Sequence, residues 1–290
     1  MKPAPFRYYD PASVDEAGTL LAGLDNAKLL AGGQSLIAMM NMRYVQPDHI
    51  IDLNGIAGLA YIEENGNDLA IGAMTRQREL EFSDLVRARC PILHEAILSV
   101  GHRQTRNRGT IGGSLCHLDP SAELVAIAAL HDAMLTVKSA AGAREAAFRD
   151  FVQGFMTPAL EPSELLVSVR MPLWPPCHGY AFVEFARRHG DFALASAAAL
   201  LTMDDRGQLD RAALVVGGVA VAPIRISEAG ELKGQPVSEP AFRSVASACR
   251  TLDVLDDPHV PARYRWQLAE TLSFRALKLA GDRLQRKVQQ

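Results

Sequence analysis

The sequence predicts an α+β protein, with two α/β subdomains followed by a smaller α+β domain. Three observations carry that expectation. Residues 13–53 alternate helical and short apolar runs around a Gly-Gly turn, a β–turn–α–β pattern at small scale. Residues 57–171 mix strand-like and helical stretches around a second Gly-Gly segment. Beyond a proline cluster the order becomes three strands and then two helices, which suits an antiparallel sheet with helices packed on one face. The divisions are expected at 1–56, 57–175 and 176–290.

Ser13 to Glu16 reads as a capping box, in which the hydroxyl and the carboxylate each satisfy a free backbone N–H. Val14, Ala17, Leu21 and Leu24 then fall on one helical face. Ala27–Ala31 is a short apolar strand, Leu36–Arg43 a helix and His49–Leu53 a second strand. Asn65-Gly66 between two strand-like runs marks a hairpin. Thr75–Arg89 has a helical pattern, and Pro91 separates it from another helix ending near Val100. Ala122–Leu130 is apolar enough for a buried helix, while Met134–Lys138 and Leu165–Met171 read as strands. Pro172, Pro175 and Pro176 break the pattern. Tyr180–Ala186, Ala193–Met203 and Ala212–Ala220 are strands, with a turn at Asp205-Arg206-Gly207. Pro240–Thr251 and Ala262–Arg286 are helices, and the tail 287–290 is expected to fray.

Composition narrows the function. A formal net charge of −3 argues against nucleic acid as the partner, because neutralising phosphates needs a basic surplus. No run of eighteen apolar residues exists, so no membrane span is expected. Met1–Asp10 lacks the apolar stretch of a secretory signal, and a soluble, cytoplasmic chain is expected. Cys90, Cys116, Cys177 and Cys249 are scattered, without metal or iron–sulfur spacing. His117 and Asp119 lack a third ligand nearby, so no metal site is expected.

Two segments carry candidate binding chemistry, "AGGQSL" (Ala31–Leu36) and "TIGGSL" (Thr110–Leu115). Glycine allows positive φ, so successive N–H groups can converge on an anion, with Ser35, Ser114 and Thr110 adding hydroxyls. Neither segment is GxGxxG or GxxxxGK[ST], so neither a Rossmann site nor a P-loop is indicated. Two such turns fit one pyrophosphate held from two subdomains. Arg103, Arg106 and Arg108 before the second read as a solvated basic loop. Asp119 is expected to cap the next helix. Glu123 on its first turn could complement the helix dipole or accept from a ribose hydroxyl. In "FARRHGDFALA" (Phe185–Ala195), Gly-Asp-aromatic between two strands forms a tight turn, presenting Phe192 at a sheet edge where a ring can pack on a flat cofactor.

These three stretches together resemble the FAD-binding (medium) subunit of molybdenum hydroxylases, of the carbon monoxide dehydrogenase medium-subunit and xanthine dehydrogenase FAD-domain type. "AGGQSL", "TIGGSLCHLDPSAE" and "RRHGDFA" match that family's three motifs, and "SFRALKLA" is similar to its closing helix. Two departures stand out: Ser114 where Asn is usual and Phe192 where Tyr is common. The resemblance implies the FAD-binding PCMH-type fold and the flavoprotein C-terminal domain. It implies that Gly32, Gly33, Gln34 and Ser35, flanked by Ala31 and Leu36, bind FAD together with Thr110, Gly112, Gly113 and Ser114. It places Glu123, Val100 and Leu166 at the cofactor too, and Arg187, Asp191 and Phe192 near its isoalloxazine. It further implies partners: a large molybdopterin-binding subunit and a small [2Fe–2S] subunit, in a dimer of heterotrimers. Electrons would leave to an acceptor such as NAD, a quinone or O2. No residue of this chain is assigned a catalytic role. The competing expectations are a stand-alone FAD-dependent oxidoreductase with its own organic substrate, and a binding module whose Gly-Gly turns hold nothing.

Overall fold

The computed structural model describes residues 2–288, arranged around three principal sheets. The first is parallel and three-stranded. It is built by β1 (Arg7–Tyr9), α1 (Val14–Gly23), β2 (Ala27–Leu30), α2 (Leu36–Asn41) and β3 (His49–Asp52), with strand order β1-β3-β2. β1 was not expected. Three polar residues show no alternation, and pairing with β3 is what makes them a strand. Ser13 caps α1 by accepting from Glu16 N at 3.1 Å, while the Glu16 carboxylate reaches Ala12 N at 2.8 Å. Ala17 and Leu21 pack against Ile51, Leu53, Met74 and Leu165.

The second sheet is antiparallel, in the order β4-β5-β10-β6-β7. Its hairpin is β4 (Ile62–Asn65) and β5 (Asp68–Gly72), turned by Gly66 at φ +61°. The single helix expected over Thr75–Arg89 is two, α3 (Gln77–Phe82) and α4 (Asp84–Arg89). Ser83 divides them because its hydroxyl accepts from Val86 N and starts α4 afresh. α5 (Pro91–Ser99) begins with proline in its first turn. α6 (Arg103–Arg108), α7 (Ile111–His117) and α8 (Glu123–Leu130) follow. The sheet is completed by β6 (Met134–Ser139), β7 (Gly142–Ala147) and, after short α9 (Phe148–Phe151), β8 (Val152–Gly154) and β9 (Thr157–Pro158), by β10 (Leu165–Pro172).

The third sheet is antiparallel, running β11 (Gly179–Phe185), β12 (Ala195–Met203), β13 (Leu209–Gly217) and β14 (Ile224–Arg225). α10 (Glu239–Ser247) and α11 (Ala262–Val288) come last. Helices cover both of its faces rather than one. Ala181, Ala197, Ala199 and Leu214 meet Ala276 and Ala280 of α11, while Phe182, Ala198, Leu200 and Val215 join the core around Ile97 of α5 and Ile127 of α8. Burial on two faces is why β12 reads as an almost continuous apolar run.

Contact between β11 and α11 is close enough to exclude a side chain. A Cβ on Gly179 would stand 2.1 Å from the carbonyl oxygen of Ala280. Arg283 then ties α11 to α5 and β11, donating to the Glu95 carboxylate at 2.7 Å and the Tyr180 carbonyl at 2.8 Å. The expected fraying does not reach Lys287, which lies in α11 and donates to the His178 carbonyl at 3.1 Å. Gln289 and Gln290 lie outside the described residues. Replacing Gly179 with Ala is expected to force the helix off the sheet and cost about 2 kcal/mol or more, read as a lower urea midpoint with the same slope.

Candidate functional site

The first Gly-Gly segment leaves β2 and opens α2. Gly33 takes φ +73°, the left-handed turn that glycine permits, and Ser35 enters helical geometry at the start of α2. The N–H groups of Gly32, Gly33, Gln34 and Ser35 have no protein acceptor among the described residues. Free N–H groups gathered in one turn are what an anion cradle requires.

The second segment is built differently. Gly112 and Gly113 are not a positive-φ turn but the first turn of α7, capped by Thr110, whose hydroxyl accepts from Gly113 N at 3.0 Å. Ile111 N donates to Thr75 O and Gly112 N to Ala73 O. Its N–H groups are therefore already engaged, so this half is no second nest. Glycine is needed here for close approach: a Cβ on Gly112 would meet Ala73 O at 2.6 Å, and one on Gly113 would meet the Thr110 hydroxyl at 2.8 Å. The two segments touch. A Cβ on Gly32 would lie 2.3 Å from Arg108 O, and one on Gly113 would lie 3.7 Å from Ala31 Cβ.

Two neighbouring expectations change. The stretch with Arg103, Arg106 and Arg108 is helix α6, not a loop, and Arg106 is structural: it donates to Glu81 Oε2 and Val100 O, each at 2.9 Å. Asp119 does not cap α8. Pro120 and Ser121 set the helix start too far on, Ala122 becomes the cap residue, and Asp119 instead accepts from Ser121 N at 2.9 Å.

Both segments line one cleft of about 1200 Å³, walled by all three sheets and the helices on them. Ala31, Gly32, Gly33, Gln34, Ser35 and Leu36 form one wall. Val100, Thr110, Gly112, Gly113, Ser114, Glu123 and Leu166 form the floor and the opposite wall. Asp191 and Phe192 reach in from the β11–β12 loop, turned by Gly190 at φ +86°, and Phe192 is 73% exposed. Arg187, expected with them, is exposed and does not line the cleft, because the chain turns inward only at Gly190. Residues 158 and 160–165 form a further wall that no motif announced, held by Arg144, which donates to Glu164 at 2.7 and 2.6 Å. Gln77 also lines the cleft, with a buried Oε1 lacking a partner. Nothing in its sequence neighbourhood signalled that role.

Glu123 is 8% exposed, and burial pushes its carboxyl up to about 8, with the charges of Glu184 and Asp119 adding to the shift. Burial raises Glu184 to about 7. Burial also lifts the Cys90 and Cys116 thiols to about 12 and Cys249 to about 11, so they stay protonated at neutral pH. Among the described residues no three His, Cys, Asp or Glu side chains converge as a metal site, and no helix is long and apolar enough to cross a membrane.

Residues 4–174 match the family described as the FAD binding domain in molybdopterin dehydrogenase, and residues 180–280 match the CO dehydrogenase flavoprotein C-terminal domain. The chain therefore belongs to the FAD-binding subunits of molybdenum hydroxylase-type oxidoreductases. It is 40% identical to the 6-hydroxypseudooxynicotine dehydrogenase complex subunit alpha of Paenarthrobacter nicotinovorans, covering 98% of this chain and 97% of that one. It is 39% identical to the carbon monoxide dehydrogenase medium chain of Afipia carboxidovorans, covering 98% and 99%. The fold superposes on a carbon monoxide dehydrogenase structure from Hydrogenophaga pseudoflava, one that lacks the Mo-pyranopterin moiety, with a TM-score of 0.94 at 35% identity, covering 98% and 99%.

The cleft fits FAD on its own features. It has free backbone N–H groups at Gly32–Ser35 suited to a phosphate, the volume to take a dinucleotide, and the exposed ring of Phe192 in its lining. Gly32→Ala is expected to push the cradle away from Arg108 and weaken FAD binding at least about tenfold, measured by flavin fluorescence titration.

A further outcome concerns pH and the carboxyls of Glu123 and Glu184. Both carboxyls hold protons more tightly in the fold than in the unfolded chain. Their contribution to stability is fully present below the ordinary value of 4.5 and is lost as pH rises through about 8. Thermal midpoints of flavin-free protein are expected to fall across that window.

Proposed function

We propose that this chain links electron transfer between subunits of a molybdenum-containing dehydrogenase. In this reading, electrons arrive from [2Fe–2S] clusters of a small partner subunit and leave to an external acceptor, NAD, a quinone or O2. A large molybdopterin-binding subunit oxidises the substrate. The assembly is a dimer of heterotrimers in the cytoplasm. The observation that carries the reading is the cleft itself: free backbone N–H groups and one exposed aromatic ring share it, while Ser114, Cys116, His117 and Asp119 of its lining make no side-chain hydrogen bond to one another among the described residues.

FAD, when bound, supplies the redox chemistry. The chain's residues supply position. The N–H groups of Gly32–Ser35 hold the pyrophosphate, and Thr110 keeps α7 capped behind it. Gly112 and Gly113 let the first turn of α7 seat against Ala73 and Thr110, which fixes that wall of the cleft. Ser114 offers one hydroxyl where an Asn amide would offer two donors. Phe192 stacks on the ring system without a phenol hydroxyl. The thiols of Cys90 and Cys249 are buried and that of Cys116 half-buried, all three stay protonated, and the clusters belong to another chain.

Purification from the native host tests this. The expected result is a flavin absorption band together with iron–sulfur and molybdopterin subunits identified by mass. A flavin band with no partners, and flavin reduction by an organic substrate added to the chain alone, would replace this reading with a self-sufficient oxidoreductase.

A further inference from the structure

Glu123 of α8 and Glu184 of β11 come from different parts of the fold and face the same layer between α8 and the third sheet, near enough for the Glu184 charge to bear on Glu123. Glu184 in β11 lies opposite Ser196 in β12, which lies opposite Gly217 in β13. Directly paired residues share a sheet face. A Cβ on Gly217 would stand 3.5 Å from Ala126 Cβ and from Pro120 O, so this row faces the first turn of α8. Glu123 is three residues before Ala126 and lies on the same side of that helix. Its side chain lines the cleft, is more than nine-tenths buried and makes no hydrogen bond to another residue's side chain among the described residues. Oε2 of Glu184 is buried with no hydrogen-bond partner among the described residues.

The charges facing this pair do not neutralise it. Asp119, just before α8, adds a negative charge. Asp191 lines the same cleft from the β11–β12 loop, as do Lys28 of β2 and His117 of α7, the last held toward its neutral form by burial, and neither Lys28 nor His117 is among the charges that act on Glu123. Arg106 of α6 is the cation that bears on Glu123, but its guanidinium is already bound to Glu81 Oε2 and to the Val100 carbonyl. Two carboxylates confined together at low dielectric, beside a cradle built for phosphate, repel each other and any anionic ligand.

We propose that Glu184 keeps a proton on Glu123, so that Glu123 meets bound flavin as a neutral carboxylic acid donating through its O–H. The proposal rests on the cleft being the flavin site. The pair titrates as a unit: Glu184 ionises first, and its charge then delays Glu123. Below that second step Glu123 offers a donor to an acceptor atom of the cofactor. Above it the donor is gone and a negative charge takes its place. Glu184 touches no ligand and acts as a positioning residue for this proton.

The test uses the chain in its native assembly, with flavin removed and FAD returned between about pH 6 and pH 9. The infrared carbonyl stretch of a neutral carboxylic acid is followed in parallel on flavin-free protein. The expected result is a neutral-acid band at pH 7 that disappears at alkaline pH, with FAD affinity falling about tenfold over the same step. Glu123→Gln, which keeps a donor without a titratable proton, should bind FAD at alkaline pH as it does at neutral pH and lose the band. Glu184→Gln should move the band's midpoint down by about one pH unit. Thermal midpoints confirm that both near-isosteric variants fold, and the wild-type infrared titration needs neither. An absent band at pH 7, a flat wild-type affinity, or an unmoved midpoint in Glu184→Gln overturns the proposal and leaves the flavin site intact. No FAD bound at any pH overturns both.

Discussion

The backbone of Gly32 lies against the carbonyl of Arg108, nearer than any side chain would allow, and the cleft depends on that contact. It brings the end of β2 onto the segment that opens α7, so loops from two sheets become adjacent walls. Gly112 repeats the arrangement one layer deeper, against Ala73 at the end of β5. Glycine is required at these places by proximity. Within the two Gly-Gly segments, Gly33 is the glycine required by its backbone angle. With both walls anchored to backbone rather than to mobile side chains, the cradle at Gly32–Ser35 is held ready for its ligand.

The third sheet is coupled to that site through its core. Its strands are apolar on both faces, one under α11 and the other under α5 and α8. The core therefore runs without interruption from the second sheet to the third. The β11–β12 loop, carrying Asp191 and Phe192, is consequently set by the same packing that sets α8 and Glu123. Phe192 gains almost nothing from burial in the folded chain, being 73% exposed, which suits a ring held for contact with something else.

The same packing explains why acidic groups sit close to the free N–H groups of Gly32–Ser35. Placing β11 beneath the start of α8 confines Glu184 with Glu123 and leaves neither a cation of its own. Buried carboxylates without cations are costly, and a proton relieves that cost most simply. Charge in the cleft is thereby divided: free N–H groups at the phosphate cradle, and carboxyls pushed toward their neutral form on the floor.

Much of this was legible in the residue order. Apolar runs placed β2 to β6 and β10 to β13, serine and proline placed the starts of α1, α5 and α10, and three short motifs brought Ala31–Leu36, Thr110, Gly112–Ser114, Glu123, Asp191 and Phe192 to the cleft, with Arg187 left outside it. These signals are local, set by side-chain period and by the backbone freedom of a few residues, so a linear sequence carries them. What needed the tertiary structure was every feature created by a distant partner. β1 exists because β3 offers it an edge, and α7 is a helix start rather than a nest because Ala73 and Thr75 accept its N–H groups. Residues 160–165 and Gln77 reach the cleft only by packing, and Glu184 approaches Glu123 only across a sheet face. Contacts between residues far apart in the chain leave no periodic trace, because the energy that selects them comes from close packing and from burial of charge.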